Sequence, residues 1–302
     1  MSEDSVALNK EAISAAKRHM GRPAYFTIIL TFSIVSGFAF NLWLFASGAI
    51  PAWGAIITLG ALTYFAYTPL HEAVHGNING EHEQLKWLND ACGYLVAPLI
   101  AIPYTSHRVE HLTHHRYTNQ PDKDPDYMVS EMGKGGVTAL LTVIHFLWVQ
   151  NTFFIRQYWS SAPFKERATY SLEALISLGW RLAFVLAVGH PGTTAVVIIL
   201  GYLLGGFFTV YWFAYRPHLP YNESRRYRNT SSLIMPGWMK PLEWFWLGQN
   251  LHSIHHLFPR VPFYRYHALH REIESILRAQ GTPIVGIFSR NPIDDPSGNK
   301  SE

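Results

Sequence analysis

The chain has 302 residues, 48% hydrophobic and 15% charged, with a formal net charge of +3. So small a positive balance, with no basic tract, argues against a nucleic-acid partner, and the apolar excess argues against an ordinary soluble domain. A single cysteine, Cys92, excludes an intramolecular disulfide or a Cys-ligated iron–sulfur cluster within one chain.

The first 23 residues are polar and mixed in charge, without an apolar h-region or a small-residue cleavage site, so no signal peptide is expected there. From Ala24 to Leu70 no residue is charged, which is room for two spanning helices at roughly 20 residues each. Gly48, Pro51 and Gly54 mark a turn between them, so the pattern predicts helices over 24–47 and 53–71. Ala91–Tyr104 is apolar but short. As a helix it reaches about 21 Å against a hydrocarbon core of about 30 Å, so an interfacial or re-entrant placement is expected. Gly136–Ile155 is long enough to span. A second pair of helices is predicted over 172–189 and 192–215, joined at His190-Pro191-Gly192. Glu173 and Arg181 lie in the first of these. A charge at that depth is costly, so Arg181 should face protein or reach toward the interface. The tail over 282–302 is expected to be loose.

The short turns near 48–54 and 189–192 carry no charge, whereas nearly all Lys and Arg fall in the N-terminus, 72–135, 156–181 and 216–302. The positive-inside rule makes those segments cytoplasmic. The expectation is one all-α integral membrane domain over 1–302, with four transmembrane helices in two hairpins and a cytoplasmic helical cap.

Sixteen histidines are the compositional outlier. His71 and His75 are spaced i, i+4. His111, His114 and His115 are spaced i, i+3, i+4, and His252, His255 and His256 repeat that pattern. On a helix such positions share a face and can reach one ion. Imidazole suits iron, zinc and copper. Eight ligands exceed one ion's needs, so a pair of metals is the natural count. The three sets can meet only on one side of the membrane, which requires an even number of crossings between 115 and 252. The 172–215 hairpin supplies two, so 136–155 is expected on the membrane surface or against the protein.

Two other classes fit parts of the pattern. His71-Glu72-Ala73-Val74-His75 matches the H-E-x-x-H of zinc proteases, with Glu72 as general base. That motif leaves the other two sets unexplained. A non-catalytic metal-binding or transport protein would spread its sites along a pathway.

The three histidine sets resemble the boxes of the membrane fatty-acid desaturase and hydroxylase superfamily, over roughly residues 24–275. The resemblance adds His218, in Arg216-Pro217-His218, as a ninth ligand; His107 is a weaker tenth candidate. Further stretches look most like bacterial desaturase-type carotenoid β-ring hydroxylases. They are His114–Asn119, Asp124-Pro125-Asp126, Gly248-Gln249-Asn250, His255–Pro259 and Pro262-Phe263-Tyr264. Glu72 stands where many relatives carry Asp. The resemblance implies two non-haem irons at His71, His75, His111, His114, His115, His218, His252, His255 and His256, with O2 as co-substrate. It implies attack on an unactivated C–H bond of a lipid, most simply hydroxylation of a carotenoid ring. The alternative is a fatty-acyl desaturase.

Ligating imidazoles donate their other N–H to a partner, for which Glu72, Glu110, Asp124, Asp126, Asn119 and Asn250 are candidates. No flavin or NAD fingerprint is present, so electrons must come from a separate donor such as ferredoxin or cytochrome b5 with its reductase. The setting implied is a bacterial inner membrane, with the site facing the cytoplasm. Trp238, Trp244, Phe245 and Trp246 read as an interfacial belt or as one wall of a substrate tunnel. Arg225, Arg226 and Arg228 read as lipid-phosphate contacts or a dock for an acidic carrier.

Overall fold

The uncharged runs fold as helices because a backbone in apolar surroundings must satisfy its own hydrogen bonds. The computed structural model describes residues 3–289 together with 291 and 293. In chain order the helices are α1 (Glu3–Arg18), α2 (Tyr25–Ala46), α3 (Ala52–His75), α4 (Trp87–Ile100), α5 (Tyr104–Tyr117), α6 (Gly136–Gln157), α7 (Phe164–Ala187), α8 (Pro191–Thr209), α9 (Arg216–His218), α10 (His252–Leu257) and α11 (Tyr266–Ala279). A π-helical stretch, Val210–Tyr215, joins α8 to α9.

Among the described residues, four helices are long and apolar enough to cross a membrane: Tyr25–Ala46, Gly136–Gln157, Phe164–Ala187 and Pro191–His218. The set differs from the expected one. α3 equals them in length, but Thr63, Tyr64, Tyr67, Thr68 and Pro69 dilute its hydropathy. α3 packs along α2 and, more extensively, along α8. Small residues let the α3 and α8 backbones approach closely. A Cβ added at Gly205 would lie 2.5 Å from the Thr63 Cβ and 2.6 Å from the Gly60 carbonyl oxygen.

α4 and α5 fold back on each other. Only three residues separate Ile100 from Tyr104, Ala101 takes the left-handed conformation (φ 54°), and the Tyr94 and Tyr104 rings pack edge-on at 5.0 Å. α6 is apolar enough to span, yet both its ends lie beside histidine-bearing segments. The 3-10 turn before it, Tyr127–Lys134, packs on the π-helical stretch that leads to His218. Just past its other end, the Tyr158 hydroxyl lies 3.5 Å from that of Thr113, between His111 and His114.

Two features depart from an all-α fold with loose ends. Ser232–Ile234 (β1) and Ile284–Gly286 (β2) form a parallel pair, with Leu233 opposite Val285. Ile284, Val285 and Ile287 are buried. The tail expected to be loose from 282 is thus ordered through this strand, and positions 294–302 lie outside the described residues. The polar N-terminus forms α1, whose Ala12, Ala15 and Ala16 are buried in the cluster built around α11. Arg18 and His19 pair with Glu272 of α11.

Candidate metal centre

Each histidine set begins with a helix that aims imidazoles inward. α3 carries His71 and His75 one turn apart at its end, and α5 carries His111, His114 and His115. α10 carries His252, His255 and His256, and Gly248 precedes it at φ 74°. A Cβ at Gly248 would lie 2.6 Å from the Phe263 carbonyl oxygen, so the chain can fold back there only without a side chain. The π-helical stretch rotates the end of the α8 segment and delivers His218. Such segments concentrate at functional sites.

All nine histidines converge, eight of them in two groups. His71, His75, His111, His115 and His255 bring one nitrogen each within 4.8 Å of one another, and so do His114, His218 and His256. His252 stands beside the second group, with its Nε2 3.1 Å from that of His256. Six of the nine are buried; His75, His115 and His256 are half-buried.

Hydrogen bonding cannot account for the larger group. The Nε2 of His111 lies 3.0 Å from those of both His75 and His115. That of His115 also lies 2.8 Å from His255, whose Nε2 is 3.0 Å from His71. A ring nitrogen offers either one proton or one lone pair, so an Nε2 with two such neighbours leaves one contact unsatisfied. Neighbouring ligands held about 2.1 Å from one ion have this spacing of about 3 Å. In the second group the Nε2 of His218 is buried with no hydrogen-bond partner. Both groups therefore fit a metal ion.

The opposite ring nitrogens are held from outside. His114 Nδ1 lies 2.8 Å from Asp124 Oδ1, and that carboxylate also accepts the backbone N–H groups of Asn119 at 2.7 Å and Asp126 at 2.9 Å. His218 Nδ1 meets Asn119 Oδ1 at 3.1 Å, His255 Nδ1 meets the Tyr266 hydroxyl at 3.1 Å, and His256 Nδ1 meets Thr118 Oγ1 at 3.4 Å. Such partners fix the tautomer and turn Nε2 inward.

Several predicted roles need correction. Glu72 bonds Asn77 at 3.0 Å and Thr27 at 3.5 Å, not a histidine, because i+1 points off the ligand face of α3. It is therefore not arranged as the base of an H-E-x-x-H site. Asn250 donates to the Leu233 carbonyl at 3.1 Å and to Glu243 at 3.3 Å, bracing β1 instead of a ring. Asp126 lies 3.7 Å from His114 Nδ1, longer than a hydrogen bond, and it interacts with the neighbouring Glu110 carboxyl. His107 lies outside both groups and bonds Gln150 of α6 at 2.7 Å. Tyr266 and Gln150 carried no sequence signal, and Thr118, though within the stretch His114–Asn119, none for its partner, since each meets that partner across a tertiary contact.

Burial, reinforced by neighbouring histidines, pushes His111, His115, His255 and His256 well below the usual imidazole range and His252 down to about 3. They are neutral, as ligands must be. His114 differs. Burial opposes its charge, but Asp124 and then Asp126 override burial and raise it to about 9. Burial lifts Glu110 to about 7, and burial with the Glu110 charge lifts Asp126 too.

A cavity opens from the histidines toward the bundle. Tyr67, His71, His111, His114, Asp126 and His252 line its polar end, with Phe146 and Thr209 below. A second, mostly apolar pocket shares Tyr67, Phe146 and Thr209 with the first and lies between Thr63, Ile100, Ile102, Leu147, Tyr202 and Gly206. The aromatic run before the third set does not line it. Phe245 stacks on Tyr64 at 5.1 Å and Trp246 packs edge-on against Trp212 at 5.3 Å, while Trp238 and Trp244 are exposed. Of the basic run, Arg225 pairs with Glu223, Arg226 donates to the Leu257 carbonyl and Arg228 to that of Gln280.

The fatty acid desaturase family model matches residues 47–288. The chain is 23% identical to an endoplasmic-reticulum omega-3 fatty acid desaturase of Vigna radiata var. radiata over 280 residues, covering 83% of this chain and 70% of that protein. It is 25% identical to a chloroplastic omega-6 fatty acid desaturase of Arabidopsis thaliana, covering 80% of this chain and 58% of the relative. It is 24% identical to an sn-1 oleoyl-lipid 12-desaturase of Anabaena variabilis, covering 74% and 68%. The chain thus spans between 58% and 70% of the length of these relatives. The family model covers most of the chain, including all three histidine sets and His218, and by that match this chain belongs to the fatty acid desaturase family.

Proposed function

We propose that this chain is a membrane-embedded acyl-lipid desaturase that uses O2 and two iron ions. The observation that carries the reading is the pair of convergent, buried imidazole groups opening onto an apolar cavity. One ion is held by His71, His75, His111, His115 and His255, the other by His114, His218 and His256 with His252 beside them. The relatives are acyl desaturases, which favours a fatty-acyl chain over the carotenoid ring that the sequence motifs suggested first.

Bound iron supplies the O2-dependent redox chemistry that an unactivated C–H bond requires. The chain's own residues do the rest. Asp124, Asn119, Tyr266 and Thr118 hold rings so that lone pairs face inward. Tyr67, Phe146 and Thr209 form the waist through which an acyl chain reaches the histidines, and the apolar wall below excludes water from it. Electrons come from a separate carrier, ferredoxin or a cytochrome b5 system.

In the membrane, α2, α3, α7 and α8 cross in two hairpins, α4 and α5 form a re-entrant pair, and α6 lies across the bundle. The proximity of both α6 ends to histidine-bearing segments supports this parity. The lysine- and arginine-rich segments place the centre at the cytoplasmic face.

The test is expression of the full chain in cells making β-carotene, with acyl chains and pigments analysed beside a His255→Ala control and metal measured on the purified protein. New unsaturated acyl chains, lost in the control, with two irons per chain are expected. Hydroxylated pigment with unchanged acyl chains would replace the proposal by ring hydroxylation, and a single zinc would overturn it.

A further inference from the structure

Two charged residues of α7, Glu173 and Arg181, lie among lipid-facing positions, yet both side chains turn inward to the same feature. Glu173 Oε1 accepts the backbone N–H of Tyr104 at 2.6 Å and Oε2 that of Thr105 at 3.1 Å; the Thr105 side chain bonds it as well. These are the first two amides of α5, which have no partner within their own helix. Arg181 donates to the carbonyls of Pro98 and Leu99, each at 2.8 Å, and Trp180 Nε1 adds a bond to Pro98 at 2.9 Å. These carbonyls belong to the last turn of α4, where they have no donor within their own helix. An anion thus meets the positive end of one helix dipole and a cation the negative end of the other.

The clasped turn matters at both of its ends. Ile100 and Ile102 form part of the floor of the apolar cavity, and Tyr202, which lies 6.0 Å from the Arg181 guanidinium, completes it. α5 carries His111 and His115 for one histidine group and His114 for the other.

We infer that Glu173 and Arg181 are positioning residues: one capping the start of α5 and the other the end of α4, they set the depth of the α4–α5 turn and so the placement of the second histidine set and the cavity floor. The inference rests on the desaturase reading for its consequence in catalysis, but not for its geometry.

The experiment titrates Fe(II) into metal-free full-length protein in lipid nanodiscs and follows amide hydrogen exchange at Tyr104 and Thr105. Glu173→Ala should weaken Fe(II) binding by about fivefold or more, the fold-change that loss of a helix cap corresponds to, and speed exchange at both amides. Glu173→Gln keeps one carbonyl acceptor and should recover most of both. Wild-type Fe(II) affinity and exchange in Glu173→Ala overturn the inference, as do equal losses in Ala and Gln with exchange unchanged. Should Glu173→Ala fail to fold, Glu173→Asp takes its place. One methylene shorter, it should lose more affinity than Gln, and equal wild-type affinity in both overturns the inference.

Arg181→Met tests the other end. A shifted floor changes the ratio of double-bond positions in the product, which a mere loss of folded protein leaves alone; an unchanged ratio removes Arg181 from the clamp. A wild-type chain that binds two Fe(II) but oxidises no acyl lipid would sink the desaturase reading while leaving the exchange and affinity results for the clamp intact.

Discussion

Replacing Asp124 by asparagine isolates the one histidine whose charge opposes metal loading. Burial alone would keep His114 neutral, but the Asp124 charge and hydrogen bond, aided by Asp126, raise it to about 9. An unfolded histidine titrates near 6.5. The imidazolium therefore stabilises the metal-free fold fully below pH about 6.5, and that stabilisation, of order 3 kcal/mol, is lost as pH rises through about 9. An ion at Nε2 must displace the proton, so Fe(II) affinity of the His114 group should climb about tenfold per pH unit across that window. His252 and His256 are already neutral there and add no slope. In Asp124→Asn the oxygen can still accept from Nδ1, but the charge is gone and burial prevails. The slope should flatten, and about one proton fewer should leave per ion bound. Isothermal titration near neutral pH, in two buffers of different ionisation enthalpy, counts that proton directly. Equal slopes and equal proton release in both proteins would refute the reasoning.

Tyr266→Phe leaves the buried His255 Nδ1 without its partner and should weaken Fe(II) binding by the five-histidine group about tenfold, leaving the His114 group unchanged; Fe(II) titration of the two groups checks it. His107→Ala should keep both irons, since His107 lies outside the two groups, while orphaning Gln150 should cost about 1–3 kcal/mol of stability. Elemental analysis finding one iron would return His107 to the ligands. Gly205→Val forces a Cβ against Thr63 and the Gly60 carbonyl and should destabilise the α3–α8 contact by at least about 1–3 kcal/mol. A wild-type thermal transition would show that these helices can separate without loss.

Local pattern carried a long way here. The uncharged runs and their turn residues placed α2, α3 and α8 within a few residues of their observed bounds, because a helix in lipid is specified by apolar length alone. The i, i+3, i+4 spacings put each histidine set on one face. The motif Asp124-Pro125-Asp126 drew attention to Asp124, whose Oδ1 lies 2.8 Å from His114 Nδ1. α7 begins at Phe164, eight residues before the apolar run that predicts it, because Phe164–Tyr170 reads as polar. α1 and β2 are stabilised by burial against α11 and β1, partners more than 40 residues away that no local window contains.

The sequence by itself determined that each of three histidine sets shares one helical face, and that nine imidazoles were available. Only the tertiary structure decided their division into a group of five and a group of three with His252 alongside. It alone decided that Glu72 and Asn250 serve the scaffold while Tyr266 and Asn119 hold rings. The physical reason is that spacing along a helix fixes which face a ring shares. The group that meets its other nitrogen comes from another segment, and that is set by how α5, α10 and α11 pack together.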